Sequence, residues 1–183
     1  LVMITIPPTF TNGLRLMASL SPLLVGFFMV MLSVLNQNGK GLVYLGGLML
    51  ALSANIPVQR LVGSPMRTDI ITCSLFGDGV LNSHDSPASS SLVIAFTFAY
   101  LCIPMRFNNQ MNYAVVTALL NMLVLDAAVR VEVGCIPISG AILGSLMGFI
   151  FGALYITFIG NSKTASLERV FSAPDDFNSK III

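Results

Sequence analysis

Apolar residues fall along this chain in five long runs, and polar residues are concentrated between them. The runs cover about residues 16–35, 42–62, 87–105, 113–131 and 136–159. Each comes close to the roughly 20 apolar residues that an α-helix needs to cross a bilayer. None of them alternates apolar and polar residues as the strands of a membrane barrel do. The pattern therefore predicts an all-α fold, a polytopic transmembrane helical bundle of about five spans.

The polar segments divide the chain into three regions. Residues 1–15 are interrupted by prolines and are too short to span, so we expect them to lie along the surface. Residues 16–160 form the transmembrane domain, and residues 161–183 form a polar C-terminal tail. Within the domain, residues 63–86 form a polar loop of a length that is usually functional. Ser86 and Pro87 predict the start of the third helix, with the serine as N-cap and the proline in the first turn.

Composition supports a membrane protein and excludes several other classes. Of the 183 residues, 55% are hydrophobic and only 9% are charged, whereas a soluble domain carries roughly 25% charged residues. The net charge of +1 gives no bulk attraction to nucleic acid. We therefore expect membrane lipids and other membrane protein subunits as partners, with no cofactor and no metal. We expect the chain to be an integral membrane protein, located in an organellar (plastid or mitochondrial) or viral membrane.

The chain has three cysteines, Cys73, Cys102 and Cys135. Their spacing matches no C-x-x-C metal or redox motif, and an odd number argues against a disulfide framework. We interpret them as small buried apolar side chains.

Glycine recurs at every fourth position of the fifth span, at Gly140, Gly144, Gly148 and Gly152. This small-xxx-small pattern clears one face of a helix, so that another helix can approach closely. The pattern predicts tight helix packing. It leaves open whether the partner helix belongs to this chain or to another.

The fourth span contains two charged residues, Asp126 and Arg130, on one helix face. Their spacing of four residues lets them pair. One interpretation is a structural ion pair near the end of the helix. The other is a binding site in which Arg130 meets an anionic lipid headgroup or phosphate.

Three consecutive serines, Ser89, Ser90 and Ser91, open the third span. A helix N-terminus can bind an anion through its exposed N–H groups, although serines there are also ordinary caps. The only histidine, His84, precedes them in the loop beside Asp85. It is either a solvated loop residue or a base or nucleophile, since a neighbouring carboxylate can support that chemistry.

Three motifs in this order resemble the type 2 phosphatidic acid phosphatase superfamily, in particular its divergent branch related to acid phosphatase and vanadium-dependent haloperoxidase. Residues 87–93 (PASSSLV) resemble the P-S-S-H-S motif that opens a helix in that branch. Residues 126–130 (DAAVR) resemble its D-A-A-G-V-R motif with one residue deleted, and residues 135–137 (CIP), followed by the glycines, resemble H-x-P. The resemblance covers about residues 63–155 and implies a helical scaffold in which basic residues hold a phosphate.

The same comparison implies that the catalytic residues are missing. Members of the superfamily use one histidine as nucleophile and a second as acid, with a carboxylate that orients the nucleophile. This chain has Ser90 at one histidine position and Cys135 or Ile136 at the other, and Ser139 or Gly140 replaces the carboxylate.

Among the basic residues that would hold the phosphate, only Arg130 clearly matches the family pattern. Arg60 and Arg67 are looser candidates for the first basic motif. His84 lies six residues before Ser90, in the wrong register for the motif.

Two hypotheses follow. In the first, the chain is a degenerate, non-catalytic member that serves as an accessory subunit of a larger membrane assembly, such as an organellar energy-converting complex, with a lipid held by Arg130, Arg67 and the three serines. In the second, it is a membrane lipid-phosphate or isoprenoid-diphosphate phosphatase with an altered site, in which His84 is the nucleophile and Arg130 and Arg67 bind phosphate.

Overall fold

The computed structural model describes residues 10–35, 39–63 and 84–161. Every regular element in these ranges is an α-helix, so the prediction of an all-α bundle is confirmed. The five helices are α1 (Phe10–Leu35), α2 (Lys40–Val62), α3 (Ser89–Phe107), α4 (Tyr113–Val133) and α5 (Ile138–Asn161).

Four of the described helices are long and apolar enough to cross a membrane: α3, α4 and the greater parts of α2 and α5. The apolar part of α1, Leu20–Leu35, is shorter than these. The chain is thus an integral membrane protein by helix length and composition, in agreement with the sequence prediction.

Successive helices run antiparallel, because the described turns between them are short. Only four residues separate α4 from α5, and five separate α3 from α4. The longer connection between α2 and α3 also returns to its starting side, since side chains near the end of α2 bond the residues that begin α3. One end of the bundle therefore collects the end of α2, the start of α3, the end of α4 and the start of α5.

Helix α3 is the centre of the bundle and packs against each of the other four helices. Its residues from Ser90 to Thr97 are buried, as are Ala99 and Tyr100. A core of aromatic rings joins it to α2, where the ring of Tyr44 lies 5.9 Å from Phe96 and 5.3 Å from Tyr100. The Tyr44 and Thr97 hydroxyls share a hydrogen bond of 2.8 Å, so the tyrosine is satisfied in the apolar core.

The glycine pattern of α5 faces α3 of the same chain. A Cβ added at Gly140 would lie 2.7 Å from the Asp85 carbonyl oxygen, and one at Gly148 would lie 2.9 Å from the Cα of Leu92. The Gly144 and Gly152 positions meet the backbone of Ala88 and Phe96 in the same way. The first two glycines thus meet residues just before α3 and the last two meet residues within it, so the two helices run parallel with their backbones in close contact.

The observed boundaries of α2 to α5 lie within two residues of the predicted spans, whereas α1 begins at Phe10, six residues before its predicted start. Helix α2 continues through Pro57 to Val62, and α3 continues through Pro104 to Phe107. The predicted N-cap at Ser86 is wrong, because α3 begins at Ser89 after a cis Ser86–Pro87 peptide bond and Ala88 occupies the cap position. The Ala88 N–H instead donates to the Gly140 carbonyl of α5 at 3.0 Å.

Candidate functional site

The candidate site lies where four helix ends meet, and we call this region the polar end: residues 55–63, 84–91 and 126–140. A small apolar cluster brings its parts together. Ala88, just before α3, packs with Cys135 and Ile136, just before α5, and Ala127 and Val131 of α4 pack against them. The start of α3, the end of α4 and the start of α5 are therefore in direct contact.

The end of α2 joins the polar end through close backbone contacts. A Cβ added at Gly63 would lie 2.8 Å from the Cβ of His84 and would also collide with the carbonyl oxygen of Ser86. The connection that leads to α3 is thus held tightly against the last turn of α2. This contact places His84 at the polar end, where its side chain is half-buried.

Asp126 and Arg130 form an ion pair one helical turn apart. The Arg130 Nε donates to Asp126 Oδ1 at 2.9 Å. The Asp126 side chain is completely buried, and that of Arg130 is 13% exposed. Ser21 of α1 reaches the same carboxylate oxygen at 3.5 Å, the outer limit of a hydrogen bond. The pair therefore lies inside the bundle and meets α1 at Ser21, while Asp126 Oδ2 has no hydrogen-bond partner among the described residues.

The geometry leaves part of the Arg130 guanidinium unused. Only Nε bonds Asp126, and within the described residues no partner is found for the two terminal NH₂ groups. An arginine fork with unused donors is suited to a carboxylate or phosphate, which it can bind through two parallel hydrogen bonds. Helix α4 ends one turn later at Gly134, whose φ of 80° is a left-handed conformation that favours glycine.

Two buried amides of α2, Asn55 and Gln59, fix the start of α3, and sequence analysis did not find this role. The Gln59 Nε2 donates to the Pro87 carbonyl at 2.8 Å and to Ser89 Oγ at 3.0 Å. Asn55 Nδ2 reaches the same two acceptors at 3.4 and 3.3 Å. Because a carbonyl only accepts, the amide nitrogens must face it. The signal was present in the sequence as two amides four residues apart in an apolar span, a spacing that places both on one helix face.

The three serines predicted to bind an anion lie at the start of α3, but they do not present a row of hydroxyls to the surface. Ser89 accepts from the two amides of α2, Ser90 is buried, and Ser91 is completely buried. In the described part of the chain, the Ser91 hydroxyl has no hydrogen-bond partner. No side chain caps the first turn of α3. Binding of an anion at this helix start would therefore use backbone N–H groups.

The prediction for the cysteines is wrong for Cys135, which is disulfide-bonded. It is buried, as predicted, but its sulfur is not a thiol and cannot serve as a nucleophile. Cys102, in α3, is a free and half-buried thiol. Cys73 and Arg67, a predicted phosphate-binding residue, both lie outside the described residues.

The polar end thus combines a buried ion pair, an arginine with unused donors and a helix start without a side-chain cap. Among the described residues, no three His, Cys, Asp or Glu side chains come together in a group that could hold a metal ion. Arg60, a looser phosphate candidate, is exposed in the last turn of α2. Arg130 and the uncapped start of α3 supply hydrogen-bond donors of the kind that an anion would need.

Comparison with known proteins finds no matching family model, no matching curated protein and no matching solved structure.

Proposed function

We propose that the chain is a non-catalytic integral membrane protein on a phosphatidic-acid-phosphatase-like scaffold, an accessory subunit that holds an anionic lipid headgroup at the polar end. The observation that carries the proposal is the state of Arg130. Its Nε is fixed by Asp126, and its terminal NH₂ groups have no partner in the described part of the chain. A headgroup phosphate is an anion that a membrane supplies near the end of a spanning helix.

The residues at the two positions of the catalytic histidines support a non-catalytic role. Ser90 is buried in α3, and Cys135 is disulfide-bonded. The alternative alignment places Ile136 at the second position, and its side chain is buried and apolar. A disulfide sulfur or an isoleucine side chain cannot attack phosphorus in place of the nucleophilic histidine, and a serine hydroxyl is too weak an acid to protonate the leaving alkoxide in place of the second histidine.

The assembly part of the proposal does not rest on the glycines of α5, because these pack against α3 of the same chain. It rests on the missing catalytic residues and on the large apolar surface that the bundle leaves uncovered. Helix α4 is the most exposed of the four long spans, with 11% of its most apolar window buried. A partner subunit would bind such a surface in place of lipid.

The lipid-binding part is tested by native mass spectrometry of the full chain purified in mild detergent and supplied with phosphatidic acid. We expect a bound lipid, and about tenfold weaker retention in Arg130→Lys. That variant keeps a positive charge beside Asp126 but removes the fork, and hydrogen bonds to a charged group contribute about 1.5–3 kcal/mol each. Arg106→Lys, at the opposite end of the bundle, is the matched control and should retain lipid normally.

A double substitution that leaves the net charge unchanged separates loss of lipid binding from loss of folding. Asp126→Asn with Arg130→Gln removes both charges together, so that no buried carboxylate is left without its partner. We expect this double variant to keep its helical circular dichroism spectrum and to lose the lipid. Equal lipid retention in the parent, Arg130→Lys and the double variant would overturn the headgroup proposal.

The accessory role is tested by sizing the native particle after mild solubilisation from its own membrane. The proposal expects a complex larger than the 19.6 kDa chain together with its detergent, and expects other subunits in it. A monodisperse monomer without partners contradicts the accessory role.

An active phosphatase with an altered site is the second candidate, because His84 lies at the polar end. It predicts phosphate release from lipid phosphates or isoprenoid diphosphates that His84→Ala abolishes. The non-catalytic proposal predicts that neither the parent chain nor His84→Ala releases phosphate.

A further inference from the structure

We infer that the polar end of the bundle faces an oxidising compartment, so that α1, α3 and α5 run from that side of the membrane towards the reducing side. The disulfide at Cys135 carries this inference. Stable disulfides form in oxidising compartments and are rare where cellular thiols are kept reduced.

The position of Cys135 makes the bond informative about orientation. It lies in the four-residue turn between α4 and α5, and it packs against Ala88 at the start of α3. The apolar spans of α4 and α5 both lie on one side of this turn, so the cysteine is at a membrane surface. The compartment at that surface therefore determines whether the sulfur is oxidised.

Basic residues do not determine the orientation in the described ranges. Arg15, Arg60 and Arg130 lie at the polar end, and Lys40 and Arg106 lie at the opposite end. A difference of one basic residue between the two sides does not fix an orientation. The disulfide therefore supplies information that the charge pattern lacks.

The orientation also determines which leaflet of the membrane would supply the lipid for the proposed headgroup site. If Arg130 holds a headgroup, the lipid comes from the leaflet that faces the oxidising compartment. This assignment of the leaflet rests on the proposed function, whereas the orientation does not.

The experiment places one reporter cysteine at each end of the full chain in a Cys102→Ser background, expressed in the inner membrane of a bacterium, whose periplasm is oxidising. Ser139→Cys reports on the polar end and Gln110→Cys on the opposite end; both positions are exposed. Intact spheroplasts are treated with a membrane-impermeant maleimide, and labelling is compared with that after lysis.

We expect full labelling of Ser139→Cys before lysis, and labelling of Gln110→Cys only after lysis. The reverse pattern would overturn the inference. In the parent chain unfolded in a denaturing detergent, a maleimide should modify Cys102 without reductant and Cys135 only after reduction; a Cys135 that reacts without reductant would also overturn the inference. Lipid retention is measured by native mass spectrometry on the same preparations. A reversed orientation with normal lipid retention would refute the inference about orientation without refuting the proposed headgroup site.

Discussion

The contact between α3 and α5 predicts that one methyl group at Gly148 destabilises the bundle. An added Cβ would lie 2.9 Å from both the carbonyl carbon and the Cα of Leu92, and closer still to the carbonyl oxygen. Real Cβ atoms essentially never approach other atoms within 3.0 Å. The obstructing atoms belong to a helix backbone and cannot rotate away, so Gly148→Ala must push the two helices apart.

The magnitude follows from a comparison with a glycine that has free space. A Cβ added at Gly26 of α1 meets nothing within 4 Å. Both substitutions gain the same helix propensity, up to about 1 kcal/mol. Overpacking a well-packed site costs about 1–3 kcal/mol, and contact with backbone favours the upper part of that range. We therefore expect Gly148→Ala to have a free energy of unfolding about 2–3 kcal/mol lower than Gly26→Ala.

The assay is reversible unfolding in mixed micelles by titration with a denaturing detergent, followed by far-ultraviolet circular dichroism. A double-mutant cycle adds a second test, because a Cβ at Gly152 would lie 2.7 Å from the Cβ of Ala99. Gly152→Ala and Ala99→Gly together should destabilise the chain less than the sum of the two single variants. Equal unfolding free energies for Gly148→Ala and Gly26→Ala, together with additive effects in the cycle, would refute the packing of α5 on α3.

Three further substitutions test the buried polar contacts, with the same unfolding assay as the measurement. Gln59→Leu leaves the Pro87 carbonyl without its shortest hydrogen bond, and we expect a loss of about 1–3 kcal/mol; no loss would contradict the anchoring of α3 by α2. Asp126→Ala leaves Arg130 without its counter-charge and should cost about 3–5 kcal/mol, and a neutral effect would show that the pair is not buried. Tyr155→Phe removes a hydrogen bond of 2.7 Å to a backbone carbonyl of α2 and should cost about 1 kcal/mol, whereas an unchanged value would place α5 away from α2.

The helices could be predicted from the sequence because apolar length is a strong signal. The observed boundaries of α2, α3, α4 and α5 lie within two residues of the predicted spans. Prolines inside the spans did not change these boundaries, since a proline need not end a helix when neighbouring groups compensate for the missing hydrogen bond. The cap residue of α3 could not be predicted, because the amides of α2 bind the Pro87 carbonyl and helix α3 begins only at Ser89.

The candidate site could be predicted only in part. The spacing of Asp126 and Arg130 was sufficient to predict their ion pair. Both residues lie on one helix, so this prediction does not depend on the tertiary fold. The burial of Gln59 and the disulfide at Cys135 depend on which elements meet at the polar end. The partner of the glycines in α5 likewise became evident only from the packing of α3, because a small-xxx-small pattern specifies a close approach without specifying the partner.

The most direct test of the central claim is a phosphate-release assay on the full purified chain, with phosphatidic acid and an isoprenoid diphosphate as substrates. The account predicts that phosphatidic acid binds, that its retention falls in Arg130→Lys, and that no phosphate is released from either substrate. Release of phosphate that His84→Ala abolishes would contradict the account and establish the chain as a phosphatase.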